Sequence, residues 1–183
     1  MSTLRTPVGV QDYAQGPADA PVTVVEYGDY ECPYCGAAFP VVKQLQQRFG
    51  DRLRLVFREF PLTKAHENAM DAACVATFAG EHGKYWEAHD QLFHHQAVLG
   101  WPLYERIAHD LGLDVDVLRE TLETERLRPA VRQSFTDGLR SGVNATPTFF
   151  VNGVRFNPPD FRHLGRDLAV AIEAAMTSGV PSE

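Results

Sequence analysis

The stretch Val22–Gly36, with the sequence VTVVEYGDYECPYCG, decides how this chain is interpreted. Its first half is an apolar run rich in β-branched residues, which predicts a strand over residues 22–27. A Gly-Asp break and the C-x-x-C segment Cys32–Cys35 follow, and apolar residues spaced by three and four then predict a helix over residues 33–49. The stretch therefore predicts a strand, a turn and two cysteines at the N-terminus of a helix.

That position suits redox chemistry, because free N–H groups and the helix dipole stabilise the thiolate that acts as nucleophile. Pro33 fits the first helical turn, and Cys35, on the same helical face as Cys32, is near enough for a disulfide. We predict that the more exposed Cys32 attacks and that the shielded Cys35 resolves the mixed disulfide. The alternative is half of a zinc site, but no second pair of cysteines or histidines has the matching spacing.

Glu26 ends the first strand, six residues before Cys32. A carboxyl group beneath the helix N-terminus would be partly buried, with a raised pKa, and could exchange a proton with Cys35. An exposed glutamate at the end of a strand is an equal alternative from the pattern alone.

The rest of the chain predicts strands and helices on both sides of a helical block, residues 63–142. Only about 5–6% of X-Pro bonds in folded proteins are cis, so composition alone favours a trans Thr146–Pro147 bond before the last hairpin. The predicted strands are a short one near 7–10, then 53–60, 148–151 and 154–156, the last two joined by Asn152-Gly153. The predicted helices are 65–80, 84–95, 102–111, 114–123 with Asp114 as N-cap, 127–141 and 159–177. The predicted domains are 1–62, an inserted helical domain 63–142, and 143–183.

Three groups of residues outside these motifs received weaker interpretations. Cys74, in an alanine-rich helix, is predicted to be a core residue rather than a third redox thiol. The seven histidines lack the helical spacing of shared ligands, so no metal site is expected. Arg58 and Glu59 form either a solvated strand end or an influence on the electrostatics of the site, and the sequence favours neither.

Composition excludes some classes of function. The 183 residues carry a net charge of −7, which gives no support for nucleic-acid binding. No apolar run approaches the length of a transmembrane helix. The N-terminal residues contain no apolar segment typical of a signal peptide, which predicts a cytoplasmic protein. A periplasmic or other extracytoplasmic location is the alternative if a native signal segment is missing.

Several segments together carry a family resemblance that spans about Gly16 to Met176. CPYC after VVEYGDYE, the segment NATPTFFVNG, and GKYWEAHDQLF in the helical block resemble the DsbA-like branch of the thioredoxin superfamily. The resemblance implies an α/β thioredoxin-like fold, β-α-β then β-β-α, with an inserted helical domain. It implies Cys32 as nucleophile, Cys35 as resolving thiol and Glu26 as a buried acid. It also implies a cis Pro147 beside the cysteine pair, with Thr146 offering backbone hydrogen bonds to a bound polypeptide.

The implied activity is thiol–disulfide exchange with protein thiols and disulfides. It would need no metal or organic cofactor, and glutathione or a thioredoxin-type partner could recycle the pair; we expect a monomer. The dipeptide Pro33-Tyr34 differs from the Pro-His of the best-known periplasmic oxidase and is shared with glutaredoxins, so the direction of electron flow stays open. The alternatives are a glutathione-dependent reductase or transferase on the same scaffold, and a non-enzymatic module with a structural cysteine pair.

Overall fold

The computed structural model describes residues 2–178, which form a five-stranded sheet with helices packed against it. Residue 1 and residues 179–183, the outer ends of the first and last predicted domains, lie outside the described residues. The strands are β1 (Tyr13–Gln15), β2 (Val22–Gly28), β3 (Leu53–Glu59), β4 (Thr148–Val151) and β5 (Val154–Phe156). The helices are α1 (Pro33–Phe49), α2 (Ala69–Glu81), α3 (Tyr85–His94), α4 (Trp101–Asp110), α5 (Val115–Glu123), α6 (Arg128–Arg140) and α7 (Leu164–Ser178).

The sheet has the strand order β1-β3-β2-β4-β5. The central strands β2 and β3 are parallel, and their register runs from Val22 opposite Leu53 to Gly28 opposite Glu59. Because parallel neighbours need a crossover, α1 connects them, as predicted. β4 pairs with β2 and with β5 in antiparallel fashion, which confirms the predicted β-β-α end of the chain.

The sequence at both ends of α1 fixes its position. Cys32 is the N-cap in an extended conformation, Pro33 occupies the first helical position, and Gly50 ends the helix with a φ of 52°. The residues that the helix buries recur at spacings of three and four: Cys35, Ala38, Val42, Leu45 and Phe49. The helix therefore presents Cys35 to the core and leaves Cys32 at its N-terminal end.

The chain between β3 and β4 contains helices and turns, as predicted for residues 63–142. Its most buried helix is α2, where Cys74 is 2% exposed, so the prediction of a core cysteine is confirmed. The predicted start of this helix at Ala65 is wrong. The backbone N–H groups of Ala65 and His66 both donate to the carbonyl of Leu62, so these residues form turns before the helix begins at Ala69.

The first predicted strand is also misplaced, because β1 lies at Tyr13–Gln15 rather than near 7–10. The buried Arg58 explains the difference. Its guanidinium donates to the carbonyls of Thr6 and Pro7 at 2.9 and 3.1 Å. Its Nε and Nη2 atoms also donate to the two carboxylate oxygens of Asp12. These carbonyls are therefore unavailable to a strand ladder. The interpretation of Arg58 as a solvated strand end is wrong.

Two further helices differ from the prediction, one in its start and one in its buried face. The last helix begins at Leu164 rather than at residue 159, because the Asp160 side chain accepts from the N–H of Arg162 and starts a separate 3-10 turn. In α6 the four-residue apolar series leaves the buried face, since four residues exceed one helical turn of 3.6. Leu139 is 52% exposed as a result, and Gly138 is buried in its place against the ring of Phe60. None of the helices within residues 2–178 is long and apolar enough to span a bilayer.

Candidate active site

The two cysteines of the C-x-x-C segment lie at the N-terminus of α1 as free thiols. Cys32 retains a 4% exposed fraction, whereas Cys35 has none. The backbone around them is fixed from both sides, because the N–H of Cys32 donates to the carbonyl of Asp29 at 3.1 Å and its carbonyl accepts from Gly36 at 3.0 Å. Cys32 is thus the residue of the pair that keeps some exposure.

The Thr146–Pro147 loop meets this thiol across 114 positions of sequence. The thiol of Cys32 donates to the carbonyl oxygen of Thr146 at 3.4 Å. The Thr146–Pro147 peptide bond is cis, as the family resemblance implies. The loop is held by its own hydrogen bond from the Thr148 hydroxyl to the carbonyl of Ala145, 2.7 Å long. The structure therefore brings together the two motifs that the sequence predicted to be neighbours.

The surroundings of Cys32 lower its pKa to about 5. The largest cause is a hydrogen bond from the Cys35 side chain; burial opposes it, and the Thr146 side chain and the N–H groups of the first helical turn lower it further. The Thr146 hydroxyl is buried and has no hydrogen-bond partner in the described structure. It is therefore a donor that gains a partner when the thiolate forms.

Cys35 behaves in the opposite way. Burial raises its pKa well above the usual value of a thiol, and its hydrogen bond to Cys32 and the charge of Glu26 raise it further. The N–H of Asp29 donates to its sulfur at 3.5 Å. The environments of the two thiols thus separate them into one thiolate and one protonated thiol at neutral pH.

Glu26 is 4% exposed, so the alternative of an exposed strand-end residue is wrong. Burial first, and then the charge of Cys32, raises its pKa to about 8. The residue lies in β2 between Phe57 of β3 and Phe149 of β4 in the strand register. Its apolar neighbours account for the desolvation, and a carboxyl group with this pKa can hold or release a proton near neutral pH.

A second buried carboxyl group, Glu59, lies in a polar network with Tyr85 of the helical block and is not among the groups that shift the pKa of Cys32 or Cys35. Burial raises its pKa to about 8, and the Tyr85 hydroxyl donates to it at 2.6 Å. The hydroxyl of Tyr30, two residues before Cys32, lies 3.4 Å from that of Tyr85 and 3.0 Å from Nδ1 of His89. Burial lowers the pKa of His89 to about 3, so its ring is neutral. Glu59 is therefore not the solvated strand end that the sequence left open.

Three residues that shape the site were not predicted from the sequence. Gln96, from the turn after α3, donates from its side-chain amide to the carbonyls of Tyr30 and Cys32 at 2.7 and 2.9 Å. The only local signal is Gly36, where a Cβ would overlap the Gln96 side chain. Asp29 and His66 form the second contact that was not predicted, with 2.7 Å between Oδ2 of Asp29 and Nδ1 of His66. A local signal for Asp29 was present, because it directly follows Gly28, the last residue of β2. Among residues 2–178, no three His, Cys, Asp or Glu side chains are grouped as metal ligands.

The chain matches known proteins over nearly its whole length. Residues 9–168 match the family described as Thioredoxin. A curated relative, the Na(+)/H(+) antiporter NhaA 1 of Salinispora arenicola, is 44% identical over 168 residues, which are 92% of this chain and 24% of that protein. The chain thus spans about a quarter of the length of the curated relatives it matches.

Solved structures share the fold. A thioredoxin-like oxidoreductase from Silicibacter pomeroyi is 30% identical, with a TM-score of 0.73 over 90% of this chain and 94% of that one. Oxidised BdbD from Bacillus subtilis is 23% identical, with a TM-score of 0.84 over 96% of this chain and 98% of that one. The predicted thioredoxin-like fold and the resemblance to DsbA-type proteins are confirmed.

The cytoplasmic location predicted from the sequence is wrong. Proteins named DsbA are among the solved structures that share the fold, which points to an extracytoplasmic location. In bacteria, DsbA and its partners keep the periplasm oxidising. The prediction relied on the first residues of the sequence, which do not report where the folded protein works.

The lowered pKa of Cys32 predicts a titration that can be measured. In the reduced protein, the thiolate absorbance should rise with a midpoint at about pH 5. Cys35→Ala should raise the midpoint by about one to two pH units, because a hydrogen bond to a charged group is worth about 1.5–3 kcal/mol. Cys74→Ala is the control and should leave the midpoint unchanged, since burial raises the pKa of Cys74 to about 12. A wild-type midpoint above pH 8 would contradict the assignment.

Proposed function

Since the chain belongs to the thioredoxin family and has the fold of its DsbA-type members, we propose that it is a thiol–disulfide oxidoreductase acting on proteins. The observation that carries the proposal is the pair of thiols three residues apart, one with its pKa lowered to about 5 and the other with a raised pKa. Sodium–proton exchange, the activity in the names of the curated relatives, is not part of the proposal, because the chain matches about a quarter of their length.

The first step is attack by the Cys32 thiolate on one sulfur of a substrate disulfide. The substrate S–S bond breaks, a mixed disulfide with Cys32 forms, and the second substrate sulfur leaves as a thiolate that takes up a proton. The Cys35 thiolate then attacks the Cys32 sulfur, which closes the Cys32–Cys35 disulfide and releases the first substrate sulfur. The same steps in reverse oxidise a pair of substrate thiols and leave Cys32 and Cys35 reduced.

Glu26 is proposed as the proton acceptor for Cys35. Its pKa is raised in part by the charge of the Cys32 thiolate. That charge disappears when Cys32 enters a mixed disulfide, so Glu26 becomes a stronger acid and is ionised just as Cys35 must lose its proton. The charge of the ionised Glu26 and its position beneath the pair suit this role.

Thr146 and Pro147 are proposed to hold the substrate chain beside the pair. In the free protein the carbonyl of Thr146 accepts from the Cys32 thiol. Ionisation of Cys32 removes that donor, so the carbonyl becomes available to an N–H of an extended polypeptide. The exposed ring of Tyr34, which packs edge-on against Phe161 at 5.3 Å, adds an apolar contact beside the pair.

The exchange needs only the sulfur atoms of the chain and of its substrate, so we propose no metal or organic cofactor. One chain supplies both the cysteine pair and the cis-proline loop, which supports action as a monomer. A second thiol–disulfide protein, or glutathione, is proposed to recycle the pair.

The proposed roles of the two thiols predict different trapping behaviour. Cys35→Ser, incubated with a protein disulfide, should accumulate a covalent adduct that a reductant releases, because no resolving thiol remains. Cys32→Ser should form none, since its remaining pair thiol is buried and protonated. Cys74→Ser is the control, and adducts are resolved on non-reducing gels. Equal trapping by the two pair variants would show that the assignment is wrong.

The low pKa of Cys32 predicts the direction of exchange. A stabilised thiolate favours the reduced pair, so the disulfide form should be a stronger oxidant than thioredoxin, whose potential is about −270 mV. Equilibration with glutathione buffers of known ratio, followed by mass analysis of alkylated protein, measures the potential. A value below that of thioredoxin would reject disulfide donation and favour a reductase.

Glu26 and Glu59 provide a matched pair of variants, because burial raises the pKa of both to about 8. Glu26→Gln should slow the resolution of the mixed disulfide on the order of 100-fold, the usual size of general-base catalysis. Glu59→Gln removes an equivalent buried acid away from the thiols and should change the rate little. Stopped-flow measurement of the resolution step decides this, and equal slowing in both variants would remove Glu26 from the proton transfer.

A further inference from the structure

The carboxylate of Asp29 is buried at the turn between β2 and α1, with its side chain fully shielded from solvent. It accepts three hydrogen bonds. The N–H of Glu31 binds Oδ1 at 2.8 Å, and Oδ2 receives the N–H of Leu62 at 2.8 Å and Nδ1 of His66 at 2.7 Å. These contacts join the turn before the cysteines to the segment that follows β3.

Asp29 is also bonded to both cysteines through its backbone. Its N–H donates to the sulfur of Cys35 at 3.5 Å, and its carbonyl accepts from the N–H of Cys32 at 3.1 Å. The residue whose N–H binds Oδ1 is Glu31, which directly precedes Cys32. The Asp29 carboxylate therefore belongs to the turn whose backbone binds both cysteines.

Like charges that are close together disfavour each other, so an Asp29 carboxylate without a counter-charge would raise the pKa of Cys32. The dipeptide between the cysteines, Pro33-Tyr34, carries no positive charge, and the first turn of α1 has none either. His66 is the group that contacts the carboxylate and can carry one. Its side chain is 18% exposed, so an imidazolium there is only partly desolvated.

We propose that His66 is a positioning residue of the redox pair: its imidazolium neutralises Asp29 beneath the cysteines and thereby favours the Cys32 thiolate. The inference rests on the proposed thiol–disulfide exchange. Burial opposes protonation of His66, but the hydrogen bond and the charge of Asp29, and then the charges of Cys32 and Glu31, raise its pKa above the usual value.

The coupling is reciprocal. If the thiolate stabilises the imidazolium, the imidazolium stabilises the thiolate by the same free energy. Closing the Cys32–Cys35 disulfide passes two electrons to the substrate disulfide and the Cys35 proton to Glu26, and it removes the thiolate charge. A smaller fraction of His66 is then protonated. The groups that face this pair are Asp29 and Glu31 on the His66 side, and Glu26 and Cys35 on the Cys32 side.

The first test needs no variant. NMR titration of the imidazole resonances should give His66 an affinity for protons about three- to fivefold higher in the dithiol protein than in the disulfide protein, as expected for two charges near a surface. His109, whose side chain is 83% exposed, is the internal control and should not respond to the redox state. Equal pKa values of His66 in the two states would overturn the proposal.

The second test is a cycle of variants read by the Cys32 thiolate titration. His66→Gln leaves Asp29 without its counter-charge and should raise the pKa of Cys32 by the same three- to fivefold factor in proton affinity. Adding Asp29→Asn removes the carboxylate and should return the pKa toward the wild-type value, which lost packing alone would not do. His109→Gln is the matched control.

The outcomes separate this inference from the proposed function. If Cys35→Ser still traps substrates while His66→Gln leaves the Cys32 titration unchanged, the protein exchanges disulfides and His66 has no part in it. If His66→Gln does not fold, the wild-type NMR titration still decides the proposal.

Discussion

The antiparallel pairing of β2 with β4 is the constraint on which the site depends. β2 leads into the cysteine turn, and β4 follows directly from the cis-proline loop. Pairing Tyr27 with Thr148 brings the two loops to the same end of the sheet, although six α-helices separate the strands in sequence. The hydrogen bond from the Cys32 thiol to the Thr146 carbonyl is a consequence of that register. A shift of one residue would reverse which face each side chain of β4 occupies and break this contact.

Near these two loops, carboxyl groups with different hydrogen-bond partners set the charges of the site. Glu26 lies among aromatic residues, and its pKa is raised chiefly by burial. Glu59 is equally buried but accepts from Tyr85 in a separate network. Asp29 is held by three N–H donors, one of them from His66. A carboxyl group thus serves as an acid or as a paired anion, according to the hydrogen bonds that reach it.

The sequence predicted what local chemistry decides. The bounds of α1 follow from Pro33 and Gly50, the hairpin from Asn152-Gly153, and the start of α5 from Asp114, whose side chain accepts two N–H groups as predicted. The contacts of Gln96 and His66 with the cysteine turn were not predictable in this way. Each joins segments more than 30 positions apart and depends on how the helical block packs against the sheet. The position of β1 was predicted wrongly for the same reason, since the distant Arg58 binds the carbonyls near Pro7.

The pKa shifts also make stability depend on the redox state. Cys32 has its pKa lowered from 9.0 to about 5. It therefore stabilises the folded dithiol protein fully above about pH 9, and this contribution is lost as the pH falls toward 5. Glu26 and Glu59, with pKa values raised from 4.5 to about 8, act in the opposite sense, because the unfolded chain ionises first as the pH rises. The disulfide form retains both glutamates and lacks the thiolate. Near neutral pH the thiolate therefore favours the reduced protein over the oxidised one, and the same free energy would drive the disulfide donation that we propose.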